Sequence, residues 1–143
     1  MDNAFTVDVE DYFHVTAFAD AIDRGSWGKR EPRVERNTRA LLELLAERGI
    51  QATFFVLGWV AQRYPQLVRE IAAQGHEVAS HGLSHQLIYR QSKTEFRQET
   101  RYSKRLLEDI VQRPVIGYRA ASTETTRALS LSIPTLAALE VRR

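Results

Sequence analysis

The sequence predicts an α/β protein built on a parallel sheet. Three observations predict it: short apolar runs alternate with helical stripes, glycines close the helices, and polar residues gather where the apolar runs end. A chain of 143 residues with 43% hydrophobic and 27% charged residues has the size and balance of one globular domain with a real core.

Taken in order, Ala4 to Val9 is a short apolar, β-branched run ending in acids, which suits a buried strand that delivers carboxylates at its C-terminal end. Tyr12 to Arg33 is irregular, with Gly25, Gly28 and Pro32, and reads as a long loop with one helical turn; loops of this length often carry function. Leu41, Leu44 and Leu45 then form a helical stripe, Gly49 stops it, and Ala52–Leu57 is a strand. The same order recurs with Leu67, Val68 and Ile71, Gly75, and the strand Glu77–Ala79 that feeds His81. Ser92-Lys93-Thr94-Glu95 is a capping-box pattern, after which Phe96, Thr100, Ser103, Leu107 and Ile110 share one helical face up to Pro114. Val115–Tyr118 follows as a short strand carrying Arg119 at its end.

Beyond Ser122 the pattern weakens. Thr123 to Arg127 is polar, and a helix over Leu129–Val141 is interrupted by Pro134. A closed eight-stranded barrel usually needs about 250 residues. Residues 1–122 therefore read as the N-terminal part of a barrel-like domain, unclosed at its C-terminal end, and 123–143 as a degraded or truncated continuation.

Several function classes are excluded. The 20 Lys and Arg against 18 Asp and Glu are scattered, without the aromatic interleaving of a nucleic-acid surface, so no nucleic-acid partner is expected. With no cysteine there is no disulfide, no thiolate metal site and no cysteine nucleophile, and any metal is bound through nitrogen and oxygen. Met1–Phe5 has no basic region followed by an apolar run, and no window approaches the roughly 18 apolar residues of a membrane span, so a cytoplasmic protein without a membrane-spanning segment is expected. Neither a phosphate-cradling glycine loop nor a serine nucleophile elbow is present.

What remains is His81-Gly82-Leu83-Ser84-His85 beside the acidic group Asp8, Glu10 and Asp11. Two neutral imidazoles and a carboxylate can hold a catalytic divalent cation and leave positions open for water and substrate. Chance alone gives about 0.1 such histidine pair in a chain of this composition, so the pair gains its weight from its context at a strand end. In an extended strand Asp8 and Glu10 point to one face, with Asp11 just past it in the turn. Three acids this close repel unless a cation or a proton neutralises them. His14 sits beside them as a further site residue or an ordinary loop histidine. Trp27, Trp59 and the Phe54–Phe55 pair suit a sugar groove or, more often, a core.

Thr6-Val7-Asp8-Val9-Glu10-Asp11, Ala52-Thr53-Phe54-Phe55-Val56, Ser80-His81-Gly82-Leu83-Ser84-His85 and Gly117-Tyr118-Arg119-Ala120 together resemble the polysaccharide deacetylases of the NodB-homology type, a carbohydrate esterase family, over residues 4 to about 122. The opening Asp-Val-Glu-Asp-Tyr-Phe is most similar to the subgroup associated with exosortase and exopolysaccharide gene clusters. The resemblance implies a distorted, incomplete (β/α) barrel, a divalent metal, usually zinc, and removal of N-acetyl groups from the amino sugars of a polysaccharide or oligosaccharide substrate. By the same resemblance Asp8 is the general base, His81 and His85 are metal ligands with either Glu10 or Asp11 as the acid ligand, and Arg119 orients the base from the groove. The same-face argument favours Glu10. The chain departs from the family at Ala121, where a proline is usual, and has no counterpart of its late histidine or its aspartate and tryptophan motif. Two alternatives stand beside deacetylation: a same-fold hydrolase of a small non-carbohydrate amide, and a non-catalytic truncated remnant that retains the metal site.

Overall fold

Three four-residue strands, β1 (Thr6–Val9), β2 (Thr53–Val56) and β3 (Glu77–Ser80), lie side by side in that order and all parallel, in a computed structural model that describes residues 4–121. The expectations for residues 1–3 and 122–143 lie outside the described residues. Between the strands run α1 (Val34–Arg48), α2 (Gly58–Arg63) and α3 (Pro65–Ala73), and α4 (Lys93–Val111) follows β3. No helix among the described residues is long and apolar enough to cross a membrane.

Strand alternation divides the sheet into two faces. Val9, Phe54, Val56 and Val78 are buried against Leu42 and Leu45 of α1, Val60 of α2, Leu67, Val68 and Ile71 of α3, and Leu107 and Ile110 of α4. Full burial of such a side chain contributes about 1.5–3 kcal/mol, which makes this layer the source of the fold's stability. The opposite face carries the register row Asp8, Phe55 and Ala79.

The helix ends follow the local signals. Gly49, at φ 62°, closes α1 in the left-handed region that glycine tolerates. Ser92 and Glu95 form the reciprocal capping box of α4, whose buried residues are Phe96, Thr100, Ser103, Leu107 and Ile110, as its periodicity predicts. That helix ends at Val111, ahead of Pro114, with Gln112 left-handed at φ 53°.

Four expectations need correction. On α1 the buried face is Val34, Thr38, Leu42 and Leu45, and Leu44 is 48% exposed. The helix starts at Val34, and its docked first turn sets the phase of the stripe. The long loop holds three 3-10 turns, at Tyr12–His14, Thr16–Phe18 and Arg24–Lys29, rather than one helical turn. Helix α2 is additional: only six residues long and separated from α3 by Tyr64, with Pro65 opening α3, it has too little length to show a stripe. The strand expected over Val115–Tyr118 contracts to a single parallel bridge between Tyr118 and Ser80.

Candidate metal centre

Val9, Val56, Ser80 and Tyr118 lie in one row across the sheet. Because every strand runs the same way, the next residue of each, Glu10, Leu57, His81 and Arg119, emerges on one rim. Hydrogen bonds hold them there: Leu57 N to Val9 O (3.2 Å), His81 N to Val56 O (3.0 Å) and Arg119 N to Ser80 O (2.9 Å). Four residues separated by up to 109 positions in the chain are thus brought together by strand polarity alone.

The carboxylate of Glu10 and the imidazoles of His81 and His85 form the one candidate metal group found among the described residues, with their ligand atoms within 4.8 Å of one another. Glu10 Oε2 is 2.8 Å from His85 Nε2 and 4.0 Å from His81 Nε2. At 2.8 Å a hydrogen bond would be expected, yet Glu10 Oε2 is buried and makes none that is properly aligned. Lone pairs that face a common point instead of each other are what a cation requires. Two bonds of about 2.0–2.1 Å reach across up to about 4.1 Å, so the observed spacings fit a divalent ion.

The imidazoles are prepared for this role. His81 Nδ1 lies 3.0 Å from the carbonyl oxygen of Arg119, which accepts a hydrogen bond from Nδ1–H and leaves Nε2 turned toward Glu10 as a free lone pair. Burial lowers the pKa of His81, against the opposing pull of Asp8 and Glu10, and so favours the neutral, ligating form. His85 takes a left-handed backbone conformation (φ 53°), and its carbonyl accepts a 2.9 Å hydrogen bond from Arg24 Nη2.

Asp8 and Arg119 lie beside this group. Arg119 Nη1 donates to Asp8 Oδ1 at 2.6 Å, its Nη2 donates to Thr6 Oγ1 at 2.8 Å, and its guanidinium stacks 4.0 Å from the centroid of Phe55. Both side chains of the pair remain about one third exposed, open to a substrate.

Asp11 is placed differently. Its Oδ1 accepts from Tyr12 N (2.9 Å) and its Oδ2 from Arg33 N (2.6 Å) and Val34 N (3.0 Å), so the carboxylate caps the start of α1 and faces away from the histidines. The geometry thus separates the two acids that the sequence leaves as alternatives. His14 Nδ1 accepts from Asp11 N (2.8 Å), and burial lowers its pKa to about 3, which keeps the ring neutral.

The loop carrying the histidine pair is held by groups that motif reading passes over. Gly82 O accepts from Gly58 N (2.8 Å) and Ser103 Oγ (2.9 Å), Leu83 O accepts from Trp59 N (2.9 Å), and Ser84 Oγ donates to Glu99 (2.8 Å). Their signal in the sequence is the placement of Ser103 on the otherwise apolar face of α4, where a polar residue must have a partner. At Gly58 an added Cβ would come within 2.7 Å of Leu83 Cδ1 and 3.0 Å of Leu83 Cα. Gly58→Ala is therefore expected to push the loop outward and weaken divalent-cation binding about 10-fold, the low end of losses caused by residues supporting a ligand. Competition with a chromophoric chelator measures it; unchanged affinity would mean that the loop yields without moving the histidines.

Comparison with known proteins points the same way. A family model described as polysaccharide deacetylase matches residues 21–136. A chitooligosaccharide deacetylase of Sinorhizobium fredii is 52% identical over 48 residues, which is 34% of this chain and 22% of that protein. Among solved structures, a candidate polysaccharide deacetylase from Mycobacterium smegmatis superposes with a TM-score of 0.77 at 26% identity, over 95% of this chain and 47% of its own. A CE4 family pseudoenzyme from Bacillus anthracis superposes with a TM-score of 0.69 at 18% identity, over 93% of this chain and 40% of its own. The chain spans less than half the length of each of these proteins.

Proposed function

Because the chain belongs to the polysaccharide deacetylase family, we propose that it removes N-acetyl groups from amino-sugar units of a polysaccharide by metal-assisted hydrolysis of the amide C–N bond. The observation that carries this reading is the convergence of Glu10, His81 and His85, with Glu10 Oε2 buried and unpaired among them. The fold alone would not carry it, since a family pseudoenzyme shares that fold. An exopolysaccharide is the glycan favoured by the opening Asp-Val-Glu-Asp-Tyr-Phe motif.

Two imidazole nitrogens and one carboxylate oxygen suit zinc, with a coordination position left for the reactants. Bound there, the cation supplies Lewis acidity toward the acetyl carbonyl and toward water. Asp8 takes the proton of the attacking water and passes it to the amine nitrogen as the C–N bond breaks. Arg119 holds Asp8 Oδ1, and Oδ2 has no hydrogen-bond partner among the described residues and serves as the acceptor. The charge-assisted pair fixes the direction of the Asp8 carboxylate, while the Arg119 carbonyl fixes the His81 ring. One residue thus positions both the base and a ligand.

The test is acetate release from N-acetylated chitooligosaccharides by zinc-loaded protein, followed by NMR. Release that stops on chelation and returns with zinc is expected. A folded, zinc-loaded sample that leaves the oligosaccharides intact but hydrolyses a ureide or a formamide would replace this reading with that of a small-amide hydrolase; inactivity on both would overturn it.

A further inference from the structure

Between the loop after β1 and the segment after His85 lies a cavity of about 250 Å³. This is several times the roughly 30 Å³ share of one liquid water, room for a monosaccharide rather than an ion. His85 forms part of its wall, which sets the cavity directly beside the metal centre.

Its lining is rich in hydrogen-bond donors. His14 and Trp27, 3% and 6% exposed, each keep a buried ring nitrogen without a hydrogen-bond partner. In His14 that nitrogen is Nε2, and it carries the proton, because Nδ1 accepts from Asp11 N and burial keeps the ring neutral. Arg24 and Arg90 add two guanidiniums, and that of Arg90 pairs with no acid among the described residues. The acid in the lining is Asp23, whose carboxylate already accepts from Gly25 N at 3.0 Å. Unpaired donors, aromatic faces and a net positive rim match an oxygen-rich ring that bears a carboxylate.

We propose that this cavity is a glycan subsite that binds a carboxylate-bearing sugar unit adjoining the one whose acetyl group is removed. It rests on the deacetylase reading for its orientation toward the metal centre. The same carboxylate chemistry could be supplied by the acetate product, and the test separates the two sources.

Trp27 and Trp59 are the two tryptophans of the chain, with ring centroids 6.0 Å apart, so intrinsic fluorescence reports on this cavity without any turnover. Wild type and Arg90→Gln are titrated with neutral N-acetylated chitotriose, with an oligosaccharide of alternating N-acetylhexosamine and uronic acid, and with sodium acetate. The acidic oligosaccharide should bind at least about 10-fold tighter than the neutral one, and Arg90→Gln should remove that preference with its circular dichroism unchanged. Equal affinity for both oligosaccharides, or a preference that survives in Arg90→Gln, overturns the proposal. An Arg90-dependent response to acetate alone overturns it in favour of the product. Failure here with zinc-dependent acetate release intact sinks only the subsite; acid-selective binding with no release sinks only the deacetylase reading.

Discussion

Asp8→Asn is expected to bind zinc as tightly as the wild type while releasing acetate roughly 10²- to 10⁴-fold more slowly, the usual contribution of a positioned base. Asp8 stands outside the convergent group of Glu10, His81 and His85, and its Oδ1 is held by Arg119 at 2.6 Å. An amide at that position keeps the shape of the site but no longer accepts a proton. His81→Ala should give the opposite pattern. Deleting a ligand removes the interaction itself rather than its support, so zinc affinity should fall by more than the roughly 10- to 100-fold seen when supporting residues are lost. Chelator competition and the acetate assay, run on both variants, separate the roles. Weakened zinc binding in Asp8→Asn would make Asp8 a ligand, and undiminished binding in His81→Ala would remove His81 from the centre.

The site was legible in the sequence because parallel strands place their C-terminal residues on one rim. Once Ala4–Val9 and Glu77–Ala79 are read as strands of one parallel sheet, Glu10 and the residues that follow the second strand fall on the same rim, and the single strand β2 between them leaves their side chains within reach of each other. Arg119 was legible for the same reason, although its strand contracts to one bridge at Tyr118, since a single bridge is enough to fix the rim. Helix α4 was readable residue by residue because it combines a capping box with nineteen residues of regular periodicity. Helix α1 was not, because four leucines within five positions fit two overlapping faces and tertiary contact at Val34 chose between them. The six residues of α2 are too few for periodicity to register. Glu10 and Asp11 could not be told apart by spacing alone, because what turns Asp11 away is the start of a helix twenty-two residues further on.

That turn makes Asp11 a strong test of the architecture, and Asp11→Ala is expected to lower the free energy of unfolding by about 2–4 kcal/mol. Asp11 is 4% exposed, and its carboxylate accepts three backbone N–H bonds, from Tyr12, Arg33 and Val34. Helix α1 has no side-chain cap of its own at Arg33, so Asp11 supplies one from across the loop, and an N-cap alone is worth about 1 kcal/mol. Alanine leaves these donors without a partner in a buried place, which costs more than the bonds themselves contribute. Asp11→Asn keeps one acceptor oxygen and should lose about half as much. Urea unfolding of the metal-free protein, with the slope unchanged, reads the difference as a shift in midpoint. Zinc affinity supplies the second readout: in Asp11→Asn it should stay within a few-fold of wild type, because the carboxylate faces α1 and not the histidines. A fall like that of His81→Ala, with stability unaltered, would return Asp11 to the ligand set and displace Glu10.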